Sequence, residues 1–203
     1  EMLRSLVGSE MCIRDRFTSL HYPASDETYD KFLTLLDVAK DIKICVDINN
    51  QTLKDHPDLL DKNLIIRLDF GFSPREIASL SKKCQIAINA STVNHKFLED
   101  LAKAGANMAN MIAIHNYYPL VFSGLSQEYF LSQNGLINSF GIRLAAFVQG
   151  NTNLRGPVFR GLPTLEEDRE GSPYLSLVKL KRKYKVDDLI LAEDVDELSL
   201  IHI

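Results

Sequence analysis

The stretch LIIRLDFGFSPREIASLSKKCQIAINAS, residues 64–91, predicts a strand, a helix and a second strand in succession. Its two ends, 64–70 and 85–91, are almost continuously apolar, which is typical of strands buried on both faces of a parallel sheet. Between them, Ser73 suits the N-cap of a helix and Pro74 suits the first helical position. This stretch therefore contains one complete strand–helix–strand unit.

The same alternation extends in both directions along the chain. Amphipathic helices are predicted at 26–41, with Ser25 or Asp26 as cap, and at 92–105, with Gly105 as the C-terminal stop. Repeated units of this kind indicate an α/β fold with a parallel sheet. The five further predicted strands are 17–22, 43–48, 111–117, 142–150 and 188–194.

Two architectures share this pattern, the (β/α)8 TIM barrel and the open doubly wound sheet. The doubly wound sheet concentrates its chemistry at one switch point with a Gly-rich turn, whereas a barrel draws functional groups from many strand ends. No GxGxxG motif follows the first strand, and nearly every strand ends in a polar side chain. The sequence therefore predicts an incomplete (β/α)8 barrel whose first strand and helix are missing. The polar strand-end residues are His21, Asp47, Asp69, Asn89, His115, Asn116 and Gln149.

Composition excludes several classes of protein. A formal net charge of −4 gives no electrostatic footprint for nucleic acid, and the basic run at 179–185 fits the C-terminal end of a helix. No stretch approaches the ~20 apolar residues that cross a membrane. Cys12, Cys45 and Cys84 have no CxxC or metal-ligand spacing, so free thiols in a reducing cytoplasm are expected. Neither a metal nor a cofactor is predicted, and the oligomeric state is left open.

The two ends of the chain are expected to be non-native. Residues 5–16, SLVGSEMCIRDR, and 199–203, SLIHI, resemble peptides translated from sequencing-adapter DNA. We therefore expect flanks at 1–16 and 198–203 and a partial catalytic barrel over 17–197. The alternative is a native strand and a native C-terminus, which resequencing of the genomic locus would distinguish.

Asp47 and Asp69 are the first candidates for catalysis. They end sequential strands, which are usually neighbours around a barrel. Two carboxylates a few ångströms apart are what acid–base or nucleophilic chemistry at a glycosidic bond requires. Two structural alternatives stay open, since either carboxylate could pair with Arg67 or cap a helix. The capping alternative is weaker for Asp69, because Ser73 already supplies a cap.

His115 and Asn116 are candidates for substrate contacts. They precede Tyr117 and Tyr118, so hydrogen-bonding groups and aromatic stacking area occur together, as in a wall that contacts a sugar. The alternative for His115 is a buried structural histidine.

The long loop at 150–169 is a candidate phosphate site. It carries Arg155 and Arg160 among glycines, and arginine recognises phosphate bidentately. Barrels frequently hold phosphate in the loops after strands seven and eight. Glu166 is either a third candidate carboxylate or a residue of the first turn of the next helix.

Six motifs occur in order from Phe17 to about residue 190: FTSLHYP, RLDFGFS-EIA, NAST, HNYYP---GLS, AFVQG and RGP---GLPTLEEDR. Together they resemble the MupG-like 6-phospho-N-acetylmuramidases. The resemblance implies a barrel domain that is followed, in the full family protein, by a smaller β-rich C-terminal domain absent from this chain. It also implies hydrolysis of the β-1,4 bond of a disaccharide that carries N-acetylmuramic acid 6-phosphate, during cell-wall recycling in the bacterial cytoplasm.

The family pattern covers much of the set chosen from the strand ends and the loop. Three positions depart from it: Leu120 stands where arginine is common, Asp168 where histidine is common, and 192–194 where Gly-Asp is frequent. The matching positions are His21, Asp47, Arg67, Asp69, Asn89, His115, Asn116, Arg155, Gly156, Pro157, Gly161 and Glu166.

The sequence thus predicts a phosphosugar glycosidase. Asp69 and Asp47 form the carboxylate pair, Glu166 is the reserve, and Arg155 and Arg160 hold the 6-phosphate. His21, Arg67, Asn89, His115, Asn116 and Gln149 contact the substrate. One alternative is a phosphosugar isomerase, aldolase or epimerase, which would usually show a lysine or a metal-ligand set at the strand ends. The other is a non-catalytic phosphosugar-binding protein, in which the carboxylates would be dispensable.

Overall fold

The computed structural model of the chain describes residues 15–20, 26–38 and 43–196, in two compact units. The first unit comprises Glu1–Asn89 and His95–Ile112, and the second comprises Ala90–Asn94 and Ala113–Ile203. His21 lies outside the described residues, as do residues 1–14 and 198–203 of the predicted flanks. The first described strand begins at Asp15, within the predicted N-terminal flank.

The first unit contains four parallel strands that pair in chain order. Every residue from Ile44 to Ile48 and from Leu64 to Leu68 is buried, as predicted for strands covered on both faces. The strands are β1 (Asp15–Ser19), β2 (Lys43–Ile48), β3 (Leu64–Leu68) and β4 (Gln85–Asn89). The helices are α1 (Asp26–Val38), α2 (Asn50–Asp55), α3 (Pro74–Leu80) and α4 (His95–Lys103), with 3-10 turns at Pro57–Asp61 and Met108–Asn110.

Side-chain caps define where the helices of the first unit begin. Ser73 Oγ accepts the Glu76 N–H at 3.4 Å while the Glu76 carboxylate accepts the Ser73 N–H at 2.7 Å, a capping box that confirms the predicted start of α3. Asn49 Oδ1 accepts the Thr52 N–H at 2.8 Å and so caps α2, a helix that the sequence did not predict. Gly105, at φ +76°, follows α4 as predicted.

The second unit continues the same arrangement. The Ala90 N–H donates to the Ile114 carbonyl at 3.0 Å, and the His115 N–H donates to the Ala145 carbonyl at 2.9 Å. The last two strands pair in parallel. Its strands are β5 (Met111–Ile114), of which the second half belongs to this unit, β6 (Arg143–Val148) and β7 (Asp188–Leu191). Its helices are α5 (Gln127–Ser139) and α6 (Pro173–Val178), with a 3-10 turn at Glu166–Asp168 and a π-helical turn at Lys179–Lys183.

Strand order supports the predicted fold class. Within each unit the strands follow the chain without reversal and helices separate them. A doubly wound sheet reverses its strand order at the switch point. The α/β class with parallel strands is therefore confirmed, and the order is consistent with part of a (β/α) barrel. The missing first strand and helix stay a prediction.

Within the described ranges, no helix is both long enough and apolar enough to cross a membrane.

Candidate active site

A buried ion pair lies at the end of β2 and β3 in the first unit. Asp47 and Arg67 are register partners on these strands, and Arg67 Nη1 donates to Asp47 Oδ2 at 3.0 Å. Their side chains are 12% and 6% exposed. A buried charge is costly unless it is paired, so the two side chains stabilise each other where the rest of the strands is apolar. The capping alternative for Asp47 is wrong, because Asn49 caps α2.

Asp69 follows β3 directly and is exposed. Its N–H donates to the Ile48 carbonyl at 3.0 Å, which keeps the residue in line with the sheet. Residues two apart on an extended strand point to the same side, so Asp69 shares a face with Arg67 and, through the register, with Asp47. The first unit therefore brings together a buried, paired carboxylate and an exposed one.

Two further residues complete this strand-end face of the first unit. Arg67 is in register with Ala87, so Asn89, the half-buried last residue of β4, occupies the position equivalent to Asp69 on the next strand. The turn after Asp69 is fixed by Asn50, whose Nδ2 donates to the Gly71 carbonyl at 3.1 Å. Asp47, Asp69 and Asn89 thus lie at the ends of successive strands, as the sequence predicted, and Arg67 lies within β3 beside Asp47.

His115 lies in the interior of the second unit and is fully buried. Its Nε2 lies 2.8 Å from Asn134 Oδ1, its Nδ1 lies 3.3 Å from Ser91 Oγ, and its ring packs on Phe130 at 4.6 Å between centroids. Burial lowers the pKa of His115 to about 4, against a smaller opposing contribution from the Asn134 hydrogen bond. The imidazole is therefore neutral at pH 7. Both ring nitrogens of His115 already have partners within the protein. The predicted contact between His115 and the substrate stays a prediction.

Asn116 is half-buried and its backbone is held on both sides. Its N–H donates to Ser91 Oγ at 3.2 Å, and its carbonyl accepts from Thr164 Oγ1 at 3.0 Å. Gln149 is fully buried, and its Nε2 donates to the Gly171 carbonyl at 3.1 Å and to Ser176 Oγ at 3.0 Å. Asn116 lies two residues after β5 and Gln149 directly follows β6, and Gln149 lies in the protein interior.

Glu166 is held by four hydrogen bonds and has a structural role, while its place as a reserve catalytic carboxylate stays a prediction. Its two oxygens accept the N–H groups of Phe122 at 2.8 Å and Gly124 at 2.7 Å, and both accept from Arg169 at 2.6 Å. The Arg169 hydrogen bond, together with the two N–H groups, lowers the pKa of Glu166 to about 2. A carboxyl this acidic is ionised at neutral pH, so it cannot donate a proton. Glu166 lies in a 3-10 turn, as the alternative interpretation proposed.

Arg169 belongs to the long loop but was not among the site residues predicted from the sequence. It is buried, and besides Glu166 it donates to the carbonyls of Tyr118, Gly161 and Leu120 at 3.0, 2.9 and 2.9 Å. These contacts use all five N–H groups of the guanidinium. Arg169 therefore joins the segments 118–124 and 161–169, which are parts of two of the quoted motifs. The presence of both motifs in the sequence was the available signal for this contact.

The arginines of the 150–162 loop are both exposed. Arg155 Nη2 donates to the Ala192 carbonyl at 2.5 Å, and its Cζ lies 5.9 Å from the centre of the Tyr117 ring. Arg160 forms an ion pair with Glu170. Arg155 is therefore oriented although the residue is exposed, whereas Arg160 already has an anionic partner.

Within the residues that the structure describes, no group of three or more His, Cys, Asp or Glu side chains could hold a metal ion.

A family model described as 6-phospho-N-acetylmuramidase, N-terminal, matches residues 8–197. The chain belongs to this family. The resemblance drawn from the six motifs is thereby confirmed. A search of curated proteins gave no match.

Two solved structures resemble this member of the 6-phospho-N-acetylmuramidase family over most of its length. A conserved Enterococcus faecalis protein of unknown function is 30% identical, with a TM-score of 0.83, over 92% of this chain and 55% of that one. An uncharacterized B. cereus protein is 22% identical, with a TM-score of 0.62, over 92% of this chain and 62% of that one. The chain thus spans little more than half the length of the first structure. The second likeness shows the fold alone.

The structure shows the surroundings of two residues that depart from the family pattern, Leu120 and Asp168. Leu120 has an exposed side chain, and its carbonyl is one of the Arg169 acceptors. Asp168 is buried and forms an ion pair with Lys179. Burial raises the pKa of Asp168, while Lys179 opposes that rise. Asp168 therefore stabilises the region after β6, whereas Leu120 contributes only its backbone carbonyl, which any residue there would supply.

Proposed function

We propose that the chain is the barrel domain of a cytoplasmic glycosidase in cell-wall recycling. Its substrate is a disaccharide that carries N-acetylmuramic acid 6-phosphate, and the reaction hydrolyses the β-1,4 bond. Membership of the 6-phospho-N-acetylmuramidase family supports a glycosidase of this general kind. The observation that carries the proposal is that a buried carboxylate, Asp47, and an exposed one, Asp69, lie at the ends of neighbouring strands.

The environments of the two carboxylates support different roles. Arg67 Nη1, 3.0 Å from Asp47 Oδ2, favours the ionised form of Asp47, which suits it to stabilise positive charge at the reacting sugar carbon. Asp69 is exposed, so its carboxyl group is accessible to a bound substrate, and we assign it the role of acid at the leaving oxygen. Asn89 would bind sugar hydroxyls beside them.

In the second unit, Arg155 is the proposed contact for the 6-phosphate. Its side chain is exposed and oriented by the Ala192 carbonyl, so less conformational entropy is lost when it binds an anion. Arg160 is a second contact that must first leave Glu170. Asn116 is half-buried and suits a sugar hydroxyl. His115 and Gln149 are buried, and we assign them an indirect role: their hydrogen bonds fix the backbone after β5 and β6, where the substrate would bind.

The test measures release of N-acetylmuramic acid 6-phosphate from that phosphorylated disaccharide by mass spectrometry. We expect turnover by the full-length protein restored around this chain, and a loss of about 100-fold or more in kcat for Asp69→Asn in that protein, since proton transfer contributes that much. Asp61→Asn is the matched control, because Asp61 is an exposed acid of the same unit at the end of a 3-10 turn. It should keep full activity.

Each contrary outcome has a distinct meaning. Unchanged turnover in Asp69→Asn removes Asp69 from the mechanism. Binding of the disaccharide without cleavage by the restored full-length protein supports the non-catalytic binding protein. Conversion to a product of unchanged mass supports an isomerase or epimerase.

A further inference from the structure

The 150–162 loop is folded around one buried carboxylate, that of Glu193, which has no role in the proposed function. Glu193 Oε1 accepts the Arg155 N–H at 2.8 Å. Glu193 Oε2 accepts the Gly150 N–H at 3.2 Å and the Leu162 N–H at 3.0 Å. These donors are the two ends and a middle residue of the segment 150–162, which is the first part of the long loop. One side chain therefore closes this segment.

The chain at Gly150, where the loop begins, lies very close to the chain at Glu193 and Asp194. A Cβ at position 150 would lie 2.5 Å from Glu193 Cβ and would overlap the Asp194 carbonyl oxygen. Only glycine allows the strand end to approach the segment after β7 so closely. Glu193 is buried, so its hydrogen bonds compete little with water.

The same segment also fixes the side chain of Arg155. The Ala192 carbonyl accepts from Arg155 Nη2 at 2.5 Å, while Glu193 holds the Arg155 backbone. Both ends of this arginine are therefore attached to two consecutive residues, although the arginine as a whole is exposed. In the part of the chain that the structure describes, the guanidinium makes no other hydrogen bond, so further donors are available to an anion.

We propose that Glu193 is a positioning residue that presents the Arg155 guanidinium to the 6-phosphate. It thereby sets the preference for phosphorylated over unphosphorylated amino sugars. This inference rests on the proposed phosphosugar substrate. The physical reason is preorganisation: an arginine held in its binding geometry loses less entropy on binding than a mobile one.

Glu193→Gln tests this role because a glutamine has a single acceptor oxygen. That oxygen can accept from Arg155 or from the Gly150 and Leu162 pair, and the amide group repels the N–H donors that remain. The loop should therefore loosen while the strands stay intact.

The experiment measures the Kd of N-acetylmuramic acid 6-phosphate and of N-acetylmuramic acid by calorimetry. We expect the Kd of the phosphorylated sugar to rise about tenfold in Glu193→Gln and in Arg155→Ala, which is the loss expected for one charge-assisted hydrogen bond. The Kd of the unphosphorylated sugar should stay unchanged. The matched control is Glu128→Gln, an exposed acid of the same unit, which should bind both sugars normally.

The double variant of Glu193→Gln and Arg155→Ala separates positioning from general destabilisation. If Glu193 acts through Arg155, the double variant binds the phosphorylated sugar no more weakly than Arg155→Ala alone. Additive losses, equal weakening for both sugars, or an unchanged Kd would each overturn the inference. Should Glu193→Gln fail to fold, Glu193→Asp replaces it in the same cycle with the same expected outcomes.

The readout is binding, so it is independent of turnover. Arg155-dependent binding of the phosphorylated sugar without hydrolysis would contradict the glycosidase proposal and leave this inference standing. No binding of either sugar by the unmodified chain would overturn the inference itself.

Discussion

Replacement of His115 by glutamine should remove a large part of the pH dependence of stability. His115 is neutral and buried, with its pKa lowered from 6.5 to about 4 by burial. In the unfolded chain the imidazole regains its ordinary pKa. As the pH falls below 6.5, the unfolded chain therefore takes up a proton that the folded chain does not.

The magnitude follows from the two pKa values. The contribution to stability is fully present above pH 6.5 and is lost as the pH falls towards 4. Linkage gives a loss of about 2 kcal/mol in the free energy of unfolding between pH 7 and pH 5, and about 3 kcal/mol below pH 4. Glutamine can offer a donor to Asn134 and an acceptor to Ser91, yet it does not titrate.

The assay is urea unfolding followed by circular dichroism at pH 7, 6 and 5. The unmodified chain should lose about 2 kcal/mol more than His115→Gln over this interval. His95→Gln is the matched control, because the His95 side chain is 67% exposed, and its pH dependence should follow that of the unmodified chain. Parallel curves for the unmodified chain and His115→Gln would refute the reasoning.

Two further predictions concern the loops of the second unit. Gly124→Ala should lower the free energy of unfolding by about 1–3 kcal/mol, because a Cβ there would lie 2.6 Å from Glu166 Oε2 and 2.8 Å from its backbone nitrogen. Gly135 lies in α5 with open space around it, so Gly135→Ala should raise the free energy of unfolding by about 1 kcal/mol. Equal effects of the two substitutions in urea unfolding would contradict this contrast. Arg169→Lys should cost about 3 kcal/mol in the same assay, because lysine keeps the charge but has only three donors; a loss below about 1 kcal/mol would show that charge alone suffices.

Local signals explain which parts of the fold could be predicted. The predicted strands at 64–70 and 85–91 are almost continuously apolar, and the start of α3 could be predicted from Ser73 and Pro74 alone. α2 was missed because its six residues are too few to show a helical period. Asp47 had two structural alternatives, and the choice depended on Asn49, a residue type that caps helices equally well.

Distant partners explain what could not be predicted in the site. The strand-end positions of Asp69 and Asn89 follow from the strand pattern, and the structure places both there. The structural role of Glu166 could not be predicted because its partners Phe122 and Gly124 lie more than 40 residues away in sequence. Glu193 was missed for the same reason, since the three N–H groups that it accepts come from a loop at least 31 residues upstream.

The Arg169 contacts have a consequence for how the loops of this protein can vary. One guanidinium serves carbonyls from both segments, at Tyr118, Leu120 and Gly161, so a change of length in either segment removes acceptors that the other relies on. The two loops therefore form a single exchangeable module. Transplanting one of them from a relative should yield a poorly folded chimera, whereas transplanting 118–124 and 161–169 together should preserve the fold.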